Sequence, residues 1–237
     1  MPYPTLQRGY LERNERAVKV VSLNVGLPQA QRYGREEVRT GGAKKSVPNA
    51  LLRPLGFVGD GQADLANHGG VDKAVCVYPH DHYAHWEKVL GHELEPAAFS
   101  ENLTISGAVE TGVCVGDVFG VGEALVQISQ PRTPCSKLAG KNGQRLLTKW
   151  VGQTGYTGFY TRVISEGIVR SGDAFELVEA HPGRISIAAV NDIIFGRSKD
   201  AGLIENLANL PEFGADGQAL FAERLERLGR RREMSPG

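Results

Sequence analysis

Short β-branched runs, each cut off by a glycine or proline turn, fill this chain as far as Glu179, and helical periodicity takes over only after His181-Pro182-Gly183. The runs lie at 17–25 (AVKVVSLNV), 73–78 (KAVCVY), 102–105, 124–129 (ALVQIS), 160–165 and 174–179. Between them stand Gly59-Asp60-Gly61, Gly69-Gly70, Gly116-Asp117 and Ser171-Gly172-Asp173, residues that tolerate the dihedrals of tight turns. Only 79–90 and 143–151 read as helices in this stretch. A doubly wound parallel sheet needs a crossover helix after nearly every strand, so the pattern predicts a mainly β fold. The expected form is a closed or nearly closed mixed β-barrel domain over 17–180.

Beyond that boundary, 186–195, 198–210 and 219–228 carry apolar residues at helical spacing, a three-helix module over 184–230. In the last helix, Leu220, Phe221, Leu225 and Leu228 fall on one side and Glu223, Arg224, Glu226 and Arg227 on the other. Some 45 residues make little core alone. The module is therefore expected to dock on the barrel, with a disordered tail from Arg230.

Charge narrows the partners. Lys plus Arg (27) equals Asp plus Glu (27), which gives no bulk attraction to a nucleic acid polymer and leaves room only for a local basic pocket. No apolar run approaches a membrane span, and 1–16 has no stretch suited to a signal peptide, so no membrane partner and a cytoplasmic location are expected. Three widely spaced cysteines, Cys76, Cys114 and Cys135, suit reduced thiols and cannot supply four ligands to an iron-sulfur cluster.

Among them Cys135 stands apart. In SQPRTPCSKL (129–138) two prolines stop the strand, so the cysteine falls on a stiff loop with Arg132 and Lys137 beside it. Positive charge favours the thiolate, which is both a nucleophile and a soft metal ligand. Cys76 and Cys114 each lie between valines and read as small buried hydrophobes. Three other segments carry polar groups with open roles. His68-Gly69-Gly70-Val71-Asp72-Lys73 is either an anion-approaching turn or a charged hairpin. Lys44-Lys45-Ser46 is either an anion contact or a solvated loop, and Asn102 either pairs with a heterocycle or caps a turn. His80, His82, His85 and His92 accompany Tyr83 and Trp86 on an amphipathic helix and read as packing or solvated histidines rather than metal ligands. No GxxxxGKS/T loop, strand-linked GxGxxG or HExxH occurs.

Taken in order, GDGQADLANHGGVDKAVCVYPHDHY (59–83), FSENLTISG (99–107), VGDVFGVGEALVQISQPRTPCSKL (115–138) and GDAFELV (172–178) resemble the MOSC domain family. The resemblance is to its bacterial stand-alone YiiM-like branch, implicated in resistance to N-hydroxylated purines, and extends to the three helices. It implies a barrel whose basic cleft holds the pterin-bound molybdenum cofactor, with Cys135 as the metal ligand and catalytic residue. It implies further that Thr133 lies near the cofactor, that Asn102 is the amide of the pocket, and that Lys45 and Ser46 face the phosphate side. The turn with His68 and Lys73, and Arg132 beside the cysteine, are read as further cofactor contacts. At Ser100 the branch more often has glycine, as FGENL. The implied activity is reduction of small N-hydroxylated compounds; with no flavin or nicotinamide site and no cluster, electrons would come from a separate reductase. Two other readings stay open: a sulfur or cofactor carrier using Cys135, and a module that binds an anionic ligand without turnover.

Overall fold

A computed structural model describes residues 18–233. The leader expectation for 1–16, the side chain of Leu228 and residues 234–237 lie outside what is described. The chain begins with β1 (Lys19–Val25), β2 (Gln29–Tyr33), β3 (Glu36–Thr40), β4 (Lys45–Val47), β5 (Asn49–Arg53) and β6 (Gly56–Phe57). There follow α1 (Leu65–His68), β7 (Val75–Pro79), α2 (Tyr83–Leu90), β8 (Leu103–Ser106), β9 (Val118–Val121) and β10 (Ala124–Pro131). Next come α3 (Ser136–Lys141), α4 (Leu147–Thr154), β11 (Phe159–Ser165), β12 (Gly167–Arg170) and β13 (Phe175–Glu179). The chain ends in α5 (Ile187–Ile194), α6 (Ala201–Asn209) and α7 (Ala215–Glu233). The tail expected to be disordered from Arg230 is thus helical as far as Glu233. Among the described residues no helix is long and apolar enough to cross a membrane.

The main sheet has eight strands in the order β13-β9-β10-β11-β7-β8-β1-β4. It is predominantly antiparallel, with one parallel pair, β7 against β8, joined through α2 as a crossover requires. The expected barrel is not closed by a continuous ladder. The chain just before β13 meets β1, the neighbour of the other end strand β4, at a bridge of Lys19 opposite Ala174, with the Val20 amide donating to the Asp173 carbonyl and the Phe175 amide to the Val18 carbonyl. Every residue of β7, VCVYP, is buried, because neighbouring strands flank it and both faces are covered.

Two apolar clusters divide the interior. The larger is continuous between sheet and C-terminal helices: Val113, Val115, Phe119 and Phe175 pack in the same cluster as Ile187, Val190, Leu207, Phe213 and Phe221. The smaller joins α2 to α3 and α4 through Tyr78, Trp86, Phe99, Leu138, Leu147 and Val151, with Tyr78 stacked on Phe99 at 4.1 Å. His82 belongs to this packing, as expected: it is buried, stacked on Tyr156 at 3.8 Å and 2.7 Å from Glu110.

The face assignment of α7 needs one correction. Phe221 is fully buried and Leu225 packs on the core, but Leu220 is 38% exposed. Successive helical residues are about 100° apart, so two neighbours cannot both sit at the centre of one apolar stripe.

Candidate active site

At the end of β10, Pro131 is the last residue paired with β11, and the Arg132 amide still donates to the Gly158 carbonyl at 3.1 Å. Pro134, which has no N–H, carries the chain off the sheet, and Cys135 follows in extended conformation just before α3. The Cys135 thiol is half-buried. Burial alone would push its pKa up. A hydrogen bond from His68 and that residue's charge, then Arg132 and the Lys137 amide, outweigh it and bring the thiol down to about 7. Cys76 and Cys114 go the other way, both pushed up by burial, Cys114 to about 11 with Asp117 adding to the effect.

His68 is the last residue of α1, whose start is capped by Asp64 through the Asn67 amide at 3.2 Å. The segment after it is no hairpin. Gly70 takes a φ of 95°, a conformation costly for side-chain-bearing residues, and a 3-10 turn over Val71–Lys73 leads into β7. Arg132 lies buried beneath the cysteine, and the acidic groups around it, Cys76, Tyr160, Cys135 and Glu101, hold its charge against the cost of burial.

Two adjoining lobes meet at Cys135 and share Asp64, His68, Lys73 and Lys137. One is basic and glycine-lined, with Gly41, Gly42, Lys44, Gln62 and Arg132 around it. A Cβ on Gly41 would lie 1.9 Å from the Gly61 carbonyl oxygen, so that strand of chain passes only as glycine. The other lobe, about 420 Å³, opens between Thr133, Pro134 and Cys135 on one side and Phe213, Asp216 and Leu220 on the other. Such a volume suits a small organic ligand.

The expected site residues divide accordingly. Cys135, His68, Lys73, Arg132 and Thr133 all line the cleft. Asn102 reaches the basic lobe, but its amide is committed: Oδ1 accepts from the Cys76 amide at 3.1 Å, and Nδ2 donates to the Asn24 carbonyl and to Asp60 at 3.2 and 2.9 Å. Lys45 and Ser46 are exposed on β4, opposite Val25 and Asn24 of β1, and line neither lobe. Ser46 Oγ donates to Asn24 Oδ1 at 2.8 Å. The lysine that lines the lobe is Lys44, ion-paired with the buried Asp60. Alternation along extended chain explains the one-residue difference, since neighbouring residues point to opposite faces.

Lys141 has no place in the earlier expectations. Its ammonium donates to the carbonyls of Gly42 and Ala97 and to Ser100 Oγ, behind the glycine wall, and burial pushes its pKa down to about 8. Ala97 and Ser100 both hold positive φ, 63° and 62°. Among the described residues no group of three or more His, Cys, Asp or Glu side chains is placed to hold a metal ion. A metal held by Cys135 would bring its other ligands with it.

Residues 64–176 match the MOSC domain model, and residues 185–228 match the YiiM-like, 3-alpha helix domain. The uncharacterized protein YflK of Bacillus subtilis is 46% identical over 88% of this chain and 95% of its own length. A protein named Reductase from Gibberella moniliformis is 31% identical over 66% of this chain, which spans only 28% of that protein. The crystal structure of YiiM from Geobacillus stearothermophilus superposes with a TM-score of 0.75 at 36% identity, covering 88% of this chain and 99% of that one. With both models matched in order, the chain belongs to the MOSC domain family and carries the YiiM-like three-helix domain after it.

Proposed function

We propose that the chain is a molybdenum-cofactor-dependent reductase of small N-hydroxylated compounds, bases among them, acting in the cytoplasm with electrons from a separate reductase. The observation that carries this reading is the position of Cys135, a thiol lowered to about 7 where a basic lobe and a substrate-sized lobe meet. A thiolate is a soft ligand for molybdenum, and the cations about it suit a cofactor that carries phosphate. The MOSC and three-helix regions, 17–180 and 184–230, are read as two units that build this one cleft.

The donor set fits the cofactor. Gly41 and Gly42 let a ligand approach the backbone, Lys137 and Arg132 supply positive charge beside the Lys44–Asp60 pair, and Cys135 is the one lobe-lining thiol held near thiolate. The bound cofactor would supply the electron pair that, with two protons, turns R–NH–OH into R–NH2 and water. His68 lowers the pKa of the Cys135 thiol and so favours the thiolate that would hold the metal. Arg132 keeps the floor of the site cationic, and Thr133 places a hydroxyl at the rim of the larger lobe. A sulfur or cofactor carrier would use the same thiol. The 420 Å³ lobe favours turnover, because a carrier needs no separate space for a small substrate.

The test is amine formation from an N-hydroxylated base by the cofactor-loaded chain. A small-molecule reductant should support it, NADH should not unless a separate reductase is added, Cys135→Ser should abolish it and Cys114→Ala should keep it. No amine with the small reductant would overturn the reductase reading, and turnover with NADH alone would overturn the need for a partner.

A further inference from the structure

Leu220 is an exposed leucine on a helix whose next residue, Phe221, is fully buried. It lines the larger lobe across from Thr133 and Cys135, as does Asp216 one helical turn earlier. The wall behind it is rigid. Phe213 and Phe221 meet edge to face at 5.4 Å, and a Cβ on Gly217 would lie 2.5 Å from the Phe213 ring. The start of the helix is also pinned. The Gly214 amide donates to the Ser129 carbonyl at 3.1 Å, the Ala215 amide to Asp72 Oδ2 at 3.0 Å, and Asp216 is ion-paired with Lys73.

We propose that Leu220 is the specificity-determining residue of the cleft, setting the size of the compound that reaches Cys135. This rests on the reductase reading above and deepens it. Leu220 offers an isobutyl group to one face of the ligand beside the Asp216–Lys73 pair, while Asp64, His68 and Lys137 line other parts of the same lobe. An apolar wall of fixed position discriminates by the bulk of the compound it faces rather than by its polar groups.

The experiment measures access to Cys135 without relying on bound cofactor. Full-length protein and its Leu220→Ala and Leu220→Trp variants are alkylated with iodoacetamide and with N-(1-pyrenyl)maleimide, and the Cys135 peptide is quantified by mass spectrometry. Relative to iodoacetamide, the pyrenyl reagent should react faster in Leu220→Ala and about tenfold slower in Leu220→Trp. With cofactor present, KM for a two-ring N-hydroxylated substrate should move in the same order, and further than KM for a one-ring substrate. An unchanged reagent ratio overturns the proposal. So does a parallel rise with both reagents, which would report a loosened helix rather than a size filter. A changed ratio without reduction of any N-hydroxylated compound would overturn the reductase reading and leave Leu220 as the filter for whatever reaches the thiol.

Discussion

Lys73 and Asp216, 143 residues apart in the chain, form an ion pair at the rim of the cleft that contains Cys135. The pair ties the turn after His68 to the first turn of α7. Beside it, Asp72 accepts the Ala215 amide at 3.0 Å and pairs with Arg162 of β11 at 2.8 Å, while the Asp72 carbonyl accepts Ser129 Oγ at 2.5 Å. One short segment therefore positions a strand, a helix and a lobe of the site together.

Asp72→Ala should lower stability by roughly 1–3 kcal/mol, since it strips a cap from α7 and leaves the mostly buried Arg162 without its carboxylate. Urea unfolding of the variant checks this. A midpoint equal to that of the wild type would mean that the contact contributes nothing to the fold.

The C-terminal helices should prove inseparable from the sheet. Phe221 and Phe213 are buried in the same cluster as Phe119 and Phe175, and the Val115 amide donates to the Ile185 carbonyl at 2.9 Å. Phe221→Ala is expected to cost about 3–5 kcal/mol. A chain ending at Glu179 should lose its cooperative thermal transition, and a sharp transition retained by that shortened chain would contradict the shared core.

Cys135 should titrate near neutrality. Above pH 7 the thiolate predominates and alkylation levels off; below it the rate should fall about tenfold per pH unit as the thiol takes up its proton. His68 lowers this pKa, so His68→Ala should move the midpoint upward, toward the ordinary thiol value. Peptide-level alkylation across pH 5–10 measures both, and an unmoved midpoint would remove His68 from its role.

Ser100→Gly should stabilise the protein by up to about 1 kcal/mol, because serine there holds a φ of 62° that glycine adopts without a Cβ penalty. The hydroxyl lost is a weak partner, 3.3 Å from Lys141 Nζ. Thermal unfolding of Ser100→Gly beside Ser100→Val gives the sign, and loss of stability in the glycine variant would show that the hydroxyl matters more than the strain.

Much of the fold was legible because its signals are local. The runs at 17–25, 124–129 and 174–179 became β1, β10 and β13, and the three late helices lie within a few residues of their apolar periodicity. The strands β2 and β3 were missed because QAQRY and EEVRT carry little apolar alternation. At the site, the loop position of Cys135 just beyond a strand end was readable from its prolines. Lys44 against Lys45 was not, since the face a residue takes depends on the register of β4 with β1. Leu220 was hidden for a related reason: periodicity places it beside Phe221, and only the position of the neighbouring sheet leaves it facing the cleft.

The central claim is that Cys135 holds molybdenum, and metal content per chain tests it most directly. Full-length protein and Cys135→Ser, each purified from cells able and from cells unable to make the cofactor, are assayed for molybdenum by mass spectrometry. The account predicts molybdenum in the wild type from competent cells alone and its loss in Cys135→Ser. Equal molybdenum in both proteins from competent cells, or none in either, would contradict it.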